Sequence, residues 1–220
     1  MGEAINGMMG GVLGKVGPVV GIRWRDKYYW RSRPSKSKKE ATEKQLRQRA
    51  KLALVSSFLS DVRLFINAHI PKVKGNRGMI NGTEQVSSYL LKNGVGFEGE
   101  KAYLCMDAVT MSIGVLPVVH FFKLEVIKGK CLVLEWEDSS YNSMTSPDDF
   151  LSVIIFHSEM EMMFMDLNVG QRSSAKAVVD LPKEWGVGDL HLWTVWNNKE
   201  ETLNSTSIYH RGLSMELEHV

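Results

Sequence analysis

From Lys101 onward the chain breaks into short β-prone runs, and this pattern limits its folding more than any other feature. The runs are Val118–Val126, Cys131–Glu137, Leu151–Phe156, Met160–Met165, Ala175–Asp180, Leu190–Trp196 and Thr206–Arg211, with shorter candidates at Tyr103–Met106 and Thr110–Ile113. Turn-forming segments separate them, among them Lys128-Gly129-Lys130, Ser139 to Pro147, His157-Ser158-Glu159, Asn168-Val169-Gly170 and Pro182 to Gly188. Several runs alternate. Leu132, Leu134 and Trp136 interleave with Val133, Glu135 and Glu137, the period of a strand with one buried face. Short strands with turn signals roughly every 8–12 residues predict an antiparallel β-sandwich of immunoglobulin- or fibronectin type III-like layout over residues 101–220.

The first hundred residues read differently. Thr42-Glu43-Lys44-Gln45 fits a capping box, with Thr42 as N-cap. Leu46, Ala50, Ala53, Leu54, Phe58, Val62, Phe65 and Ile66 then recur at helical spacing, predicting an amphipathic helix over 43–69 that Pro71 stops. Asn81 and Glu84 mark a second, shorter helix over about 83–92, closed by Gly94. The expected class is therefore α+β. A glycine-rich β-ribbon and a long helix occupy 1–100, and a sandwich occupies 101–220. At 220 residues and 44% hydrophobic content the chain can bury a real core, and it lacks the profile of a disordered one.

Residues 7–21 hold Gly7, Gly10, Gly11, Gly14, Gly17 and Gly21 between valines and a leucine. A phosphate loop fails here: Gly14-Lys15 is followed by Val16 rather than Ser or Thr, and the position for the first glycine is Met9. The glycines instead suit a backbone that needs positive φ or close approach to a neighbour. Next, the stretch from Val19 to Pro34 holds two β-prone runs that flank Arg25-Asp26-Lys27, which reads as a hairpin turn. Arg23, Trp24, Arg25, Tyr28, Trp30, Arg31 and Arg33 lie on it, and Arg47 continues the basic surface on the helix. Two readings stand. The rings stack on a partner while the cations neutralise it, or the rings pack on the following helix and the arginines face water.

Charge leaves a contact role for this region open, beside the reading of a merely solvated arm. Between Lys15 and Lys51 there are 13 Lys or Arg against 3 Asp or Glu, whereas the remainder carries 14 against 22. A basic segment joined to an acidic body suits nucleic acid, an anionic surface, an acidic partner or the chain's own acidic part. Ser35 to Glu40 reads as a polar linker.

Catalytic spelling is absent. None of His69, His120, His157, His191, His210 and His219 forms H-x-x-x-H or H-E-x-x-H, and no G-x-S-x-G occurs. His157, Glu159 and Glu161 would share a face only if a strand ran through them, and Phe156 to Met160 reads as a turn. Asp148-Asp149 reads as a turn or cap. Cys105 and Cys131 are too few for a disulfide scaffold or a four-cysteine zinc site and are expected as buried free thiols. No catalytic, metal or cofactor-binding residue is assigned, and no cofactor is expected. No apolar run spans a bilayer and no leader is recognisable, so the cytoplasm is the default location.

Several stretches resemble a bacterial family of unknown function, known mainly from the Bacteroidetes. They are Gly10-Gly11-Val12-Leu13-Gly14-Lys15-Val16-Gly17-Pro18-Val19-Val20-Gly21, Arg31-Ser32-Arg33-Pro34, Gln45-Leu46-Arg47-Gln48-Arg49-Ala50-Lys51, Asp189-Leu190-His191-Leu192-Trp193 and Ser207-Ile208-Tyr209-His210-Arg211-Gly212. The glycine-rich opening is that family's hallmark. The resemblance implies an N-terminal module plus a sandwich, and no reaction, cofactor or catalytic residue.

The expected function is that of a non-catalytic structural or protein-interaction protein, by analogy a component of a surface or phage-like assembly. It would contact a protein partner or a second copy. The alternatives are nucleic-acid binding through 15–51 and a sandwich that binds carbohydrate or a small ligand on Trp185, Trp193 and Trp196.

Overall fold

The computed structural model describes residues 2–4, 11–24, 27–35, 40–76, 78–127, 131–140 and 142–215, with the backbone alone described at 2–4. The chain divides into two units. One comprises residues 1–48 and 72–80, the other 49–71 and 81–220.

The first unit is a four-stranded antiparallel sheet of β1 (Gly2–Ala4), β2 (Val12–Val16), β3 (Val19–Trp24) and β4 (Lys27–Ser32), in that order. The expected two-stranded ribbon thus gains β2 from the glycine-rich opening and β1 from the residues ahead of it. The β2–β3 connection has two residues, Gly17 and Pro18, between the paired Val16 and Val19. Gly17 has φ +56°, the left-handed value that a primed hairpin turn needs at its first position. Gly21 answers a different need, because a Cβ there would collide with the Val12 carbonyl oxygen. A small ribbon of β5 (Val73–Gly75) and β6 (Gly78–Ile80) completes the unit. The expected linker falls largely on 36–39, outside the described residues. Of the expected turn Arg25-Asp26-Lys27, Arg25 and Asp26 also lie outside them, whereas Lys27 belongs to β4, opposite Trp24.

α1 runs Glu43–His69. Thr42 N donates to Gln45 Oε1 and Gln45 N to Thr42 Oγ1, the reciprocal pair of a capping box. In the second unit, Val55, Phe58, Leu59, Val62, Phe65 and Ile66 of α1 are buried. α2 (Gly82–Tyr89) starts on the capping box of Asn81 and Glu84 and passes into a π turn, Leu90–Gly94. The short hairpin of β7 (Val95–Glu98) and β8 (Lys101–Leu104) follows.

Seven strands complete the second unit: β9 (Phe121–Ile127), β10 (Cys131–Trp136), β11 (Phe150–His157), β12 (Met162–Gln171), β13 (Lys176–Asp180), β14 (Gly188–Asn197) and β15 (Ile208–Met215). They form a three-stranded sheet, β13-β10-β9, and a four-stranded sheet, β12-β11-β14-β15. Leu151, Val153, Ile155, Leu192 and Trp196 of the four-stranded sheet share a cluster with Leu132, Leu134 and Trp136 of β10. Ile154, Trp193 and Val195, turned the other way by alternation, belong to a second cluster with the α1 residues.

The expected immunoglobulin- or fibronectin type III-like sandwich and the α+β class are therefore corrected. The chain is mostly β, in separate small sheets of four, three, four, two and two strands, with two α-helices among the described residues, one of them long. The physical reason lies in β11 and β14, which are apolar on both faces. A sandwich strand keeps one face wet, whereas here the second face lies against α1. Thr110–Ile113, expected as a strand, is irregular: Met111 N donates to Ser207 Oγ, and Ser112 Oγ donates to Ser205 O.

Candidate interaction surface

β3 and β4 carry most of the residues singled out in the sequence. Their register pairs Val20 with Arg31, Ile22 with Tyr29, Arg23 with Tyr28 and Trp24 with Lys27. Side chains alternate along a strand, so one face carries Val20, Ile22, Trp24, Lys27, Tyr29 and Arg31, joined by Lys15 opposite Val20. Trp24 and Tyr29 meet there with ring centroids 6.0 Å apart. The other face carries Arg23, Tyr28 and Trp30.

Trp30 is opposite Gly21, which is opposite Gly14. It therefore has no cross-strand side chain beside it on β3, and it is 53% exposed. Tyr28 instead covers Gly11, where a Cβ would enter its ring. Every residue of β4 is exposed, and Trp24 at 39% is more than a third exposed. That exposure fits a contact surface better than rings packed away beneath a helix.

The structure divides the sequence candidates. Arg23, Trp24, Tyr28, Trp30 and Arg31 share one sheet, and Arg33 follows directly, its N–H bonded to Pro18 O at 2.8 Å. Arg47 is on α1, paired with Glu43 at 3.1 Å. Arg25 lies outside the described residues. Sequence reasoning omitted Lys15, Lys27 and Tyr29 from the surface, because it put Lys27 in the turn, whereas the observed register pairs Lys27 with Trp24 and Lys15 with Val20. From Gly11 to Ser35 the sequence has six basic residues and one acidic residue, Asp26. The surface can therefore stack planar groups and bind anions.

Residues 11–210 match the profile of a family of unknown function (DUF6266). The chain belongs to that family. The DUF6266 region spans β2–β4 of the aromatic sheet and nearly all of the second unit. No curated protein matches the chain.

The remaining sequence candidates sit in the second unit. Trp185, Trp193 and Trp196 are all buried, so none offers a stacking platform. His157 is buried, with Nε2 bonded to Gly186 O at 3.0 Å and Nδ1 accepting from Met160 N at 3.3 Å. It ties down the hairpin, while Glu159 and Glu161 are exposed in the turn. Among the described residues no three His, Cys, Asp or Glu side chains cluster as a metal site. Cys105 and Cys131, expected as buried, are only half-buried, and Cys131 Sγ donates to Asp180 Oδ1 at 3.3 Å.

A cavity of about 430 Å³ opens beside Leu54 and Phe58 of α1, with Phe156 and His191 among its walls and Asp61 and Glu161 also lining it. His191 Nδ1 shares a hydrogen bond with Tyr209 Oη at 2.7 Å. Burial lowers the His191 pKa and raises that of Tyr209, which favours the neutral form of both.

Proposed function

We propose that the chain is a non-catalytic interaction protein and that the N-terminal sheet is its contact surface. The observation that carries this reading is the exposure of every residue of β4, including Tyr28, Tyr29 and Trp30, beside Arg23 and Arg31. Aromatic and arginine side chains dominate the centres of protein contacts because they bury large area at low conformational cost. In this reading the glycine-rich opening is the family's hallmark because it builds the sheet, through the Gly17 turn and the close approach at Gly21.

Light scattering on the full chain, from micromolar protein upward and in the presence of host extract fractions, tests the reading. A discrete assembly that disappears when Tyr29, Trp30 and Arg31 are changed to Ala is the expected result. Only monomer, with no partner that distinguishes wild type from the triple variant, overturns it.

The joint placement of Trp24, Tyr29, Lys15, Lys27 and Arg31 on one face favours a second reading, single-stranded nucleic acid. Stacking on rings and neutralisation of phosphates would act together there. Titration with an oligothymidylate should then give an affinity that falls steeply with salt. Binding that ignores salt, or that survives Trp24→Ala with Tyr29→Ala, eliminates it.

A further inference from the structure

β4 is the outer strand of its sheet, and one bond fixes which of its backbone groups face outward. Arg33 N donates to Pro18 O, and the register that pairs Val19 with Ser32 makes Pro18 and Arg33 direct opposites. Opposite residues joined by such a bond are the hydrogen-bonded kind, and the two kinds alternate along an antiparallel strand. Arg31, Tyr29 and Lys27 therefore turn their N–H and C=O groups toward β3. Tyr28, Trp30 and Ser32 turn theirs away, and among the described residues nothing hydrogen-bonds to those outward groups. The edge has no proline and no bulge from Lys27 to Ser32, which leaves it a template for another strand.

We propose that β4 pairs antiparallel with β4 of a second copy of this chain, about a two-fold axis at Trp30. The proposal rests on the reading of this sheet as a contact surface and names the partner. Outward groups can bond only to outward groups, and an axis at Trp30 is the register that engages all three in both chains. Tyr28 meets the partner's Ser32, and Trp30 meets the partner's Trp30. Tyr29 lies opposite the partner's Arg31 in the non-hydrogen-bonded kind of pair, where side chains come closest. That juxtaposition gives two ring–cation pairs per dimer on the face that also carries Trp24. The strand is in this sense complementary to itself.

Charge opposes the pairing and sets its signature. Lys27 faces the partner's Arg33, and each copy brings a segment with 13 basic and 3 acidic residues. Salt screens exposed like charges, so pairing tightens as salt rises. Nucleic-acid binding on the same sheet has the opposite sign, because each neutralised phosphate releases counterions.

Sedimentation of the full chain at low and high salt tests this, with Ser32→Pro as the discriminating variant. The Ser32 N–H points outward, so proline there keeps every bond to β3, every ring and every charge. It removes two inter-chain bonds per dimer by symmetry. The expected results are a dimer that tightens with salt and a Kd raised about tenfold or more by Ser32→Pro. Register is tested by oxidising a mixture of Tyr29→Cys and Arg31→Cys chains, with Cys105 and Cys131 changed to Ser. The mixed disulfide dimer should form in preference to either homodimer. Wild type monomeric at every salt, a dimer indifferent to Ser32→Pro, or homodimers forming as readily as mixed dimers each overturns the proposal. If wild type is monomeric yet retains a partner that the Tyr29, Trp30 and Arg31 triple alanine variant loses, the contact-surface reading stands and only the second copy is refuted. If no such partner exists either, both fall.

Discussion

Arg172 Nε lies 3.2 Å from Asp149 Oδ2, and both side chains are shut away from solvent. Each guanidinium nitrogen is engaged: besides Nε, Nη1 donates to Ser139 Oγ and Nη2 to Pro117 O, and its centre sits 4.4 Å from the Trp196 ring centroid. Asp149 Oδ2 also accepts from Ser146 N at 3.0 Å. Burial lowers the Arg172 pKa, and Asp149 opposes that shift. The pair fastens the segment before β11 to the end of β12. Removing one partner strands a buried charge, so Asp149→Ala should lose about 3–5 kcal/mol in urea denaturation. Arg172→Met combined with Asp149→Leu should lose clearly less than the sum of its single changes. Additive losses would show that the two side chains act independently.

Trp136 and Trp196 meet edge to face with ring centroids 5.3 Å apart, yet their indole N–H groups differ. Trp136 Nε1 donates to Arg172 O at 3.0 Å, whereas Trp196 Nε1 is buried with no hydrogen-bond partner among the described residues. Replacement by Phe removes similar volume at both sites. Trp136→Phe also removes one of two donors to the Arg172 carbonyl, which keeps Ala175 N at 3.4 Å, so it should be more destabilising than Trp196→Phe by the net worth of one hydrogen bond, about 0.5–1.5 kcal/mol. Equal losses in thermal unfolding would mean that packing alone decides both.

Local chemistry was readable in the chain and two-sided packing was not. Thr42 with Gln45 and Asn81 with Glu84 announce their helices because both partners of each cap lie within four residues. The β3–β4 hairpin was legible but its register was not: the expected turn included Lys27, which instead pairs with Trp24 and so puts Trp24 and Tyr29 on one face. Ile154 and Trp193 gave no comparable signal. An apolar residue on the second face of a strand looks the same whether water or α1 lies beyond it. The Asp149–Arg172 pair spans 23 residues, and neither residue belongs to a local motif. The glycine-rich opening resembled a family of unknown function, and the family match over 11–210 bears out that much.

Gly17 and Gly21 separate two reasons for glycine. A Cβ at Gly17 would meet nothing within 4 Å, but φ is +56°. Gly17→Asn should therefore be tolerated, because Asn adopts the left-handed region readily, while Gly17→Val should destabilise the β2–β3 hairpin by about 1–2 kcal/mol. Gly21 lacks space rather than conformational freedom, so Gly21→Ala alone should separate β2 from β3. Hydrogen exchange at the β2 and β3 amides distinguishes the cases. Equal protection in Gly17→Asn and Gly17→Val would contradict the conformational account.

His210 links stability to pH. Its Nε2 shares a hydrogen bond with Thr194 Oγ1 at 2.9 Å, its ring meets Phe121 edge-on at 5.3 Å, and burial lowers its pKa to about 4. In the unfolded chain a histidine titrates near ~6.5. Between those two values the unfolded state binds more protons than the folded one, so stability rises with pH through that window. The contribution is whole above the unfolded pKa, is lost as pH falls toward the folded pKa, and changes no further below it. The shift corresponds to about 3 kcal/mol at most. Burial lowers the His191 pKa as well, so a slope of the same sign should persist without His210. The measurement is urea denaturation of wild type and His210→Gln at matched pH values. The stability difference between them should be largest near neutrality and shrink on acidification to the folded pKa of His210. A difference that stays constant over that range would mean that His210 is protonated equally in both states.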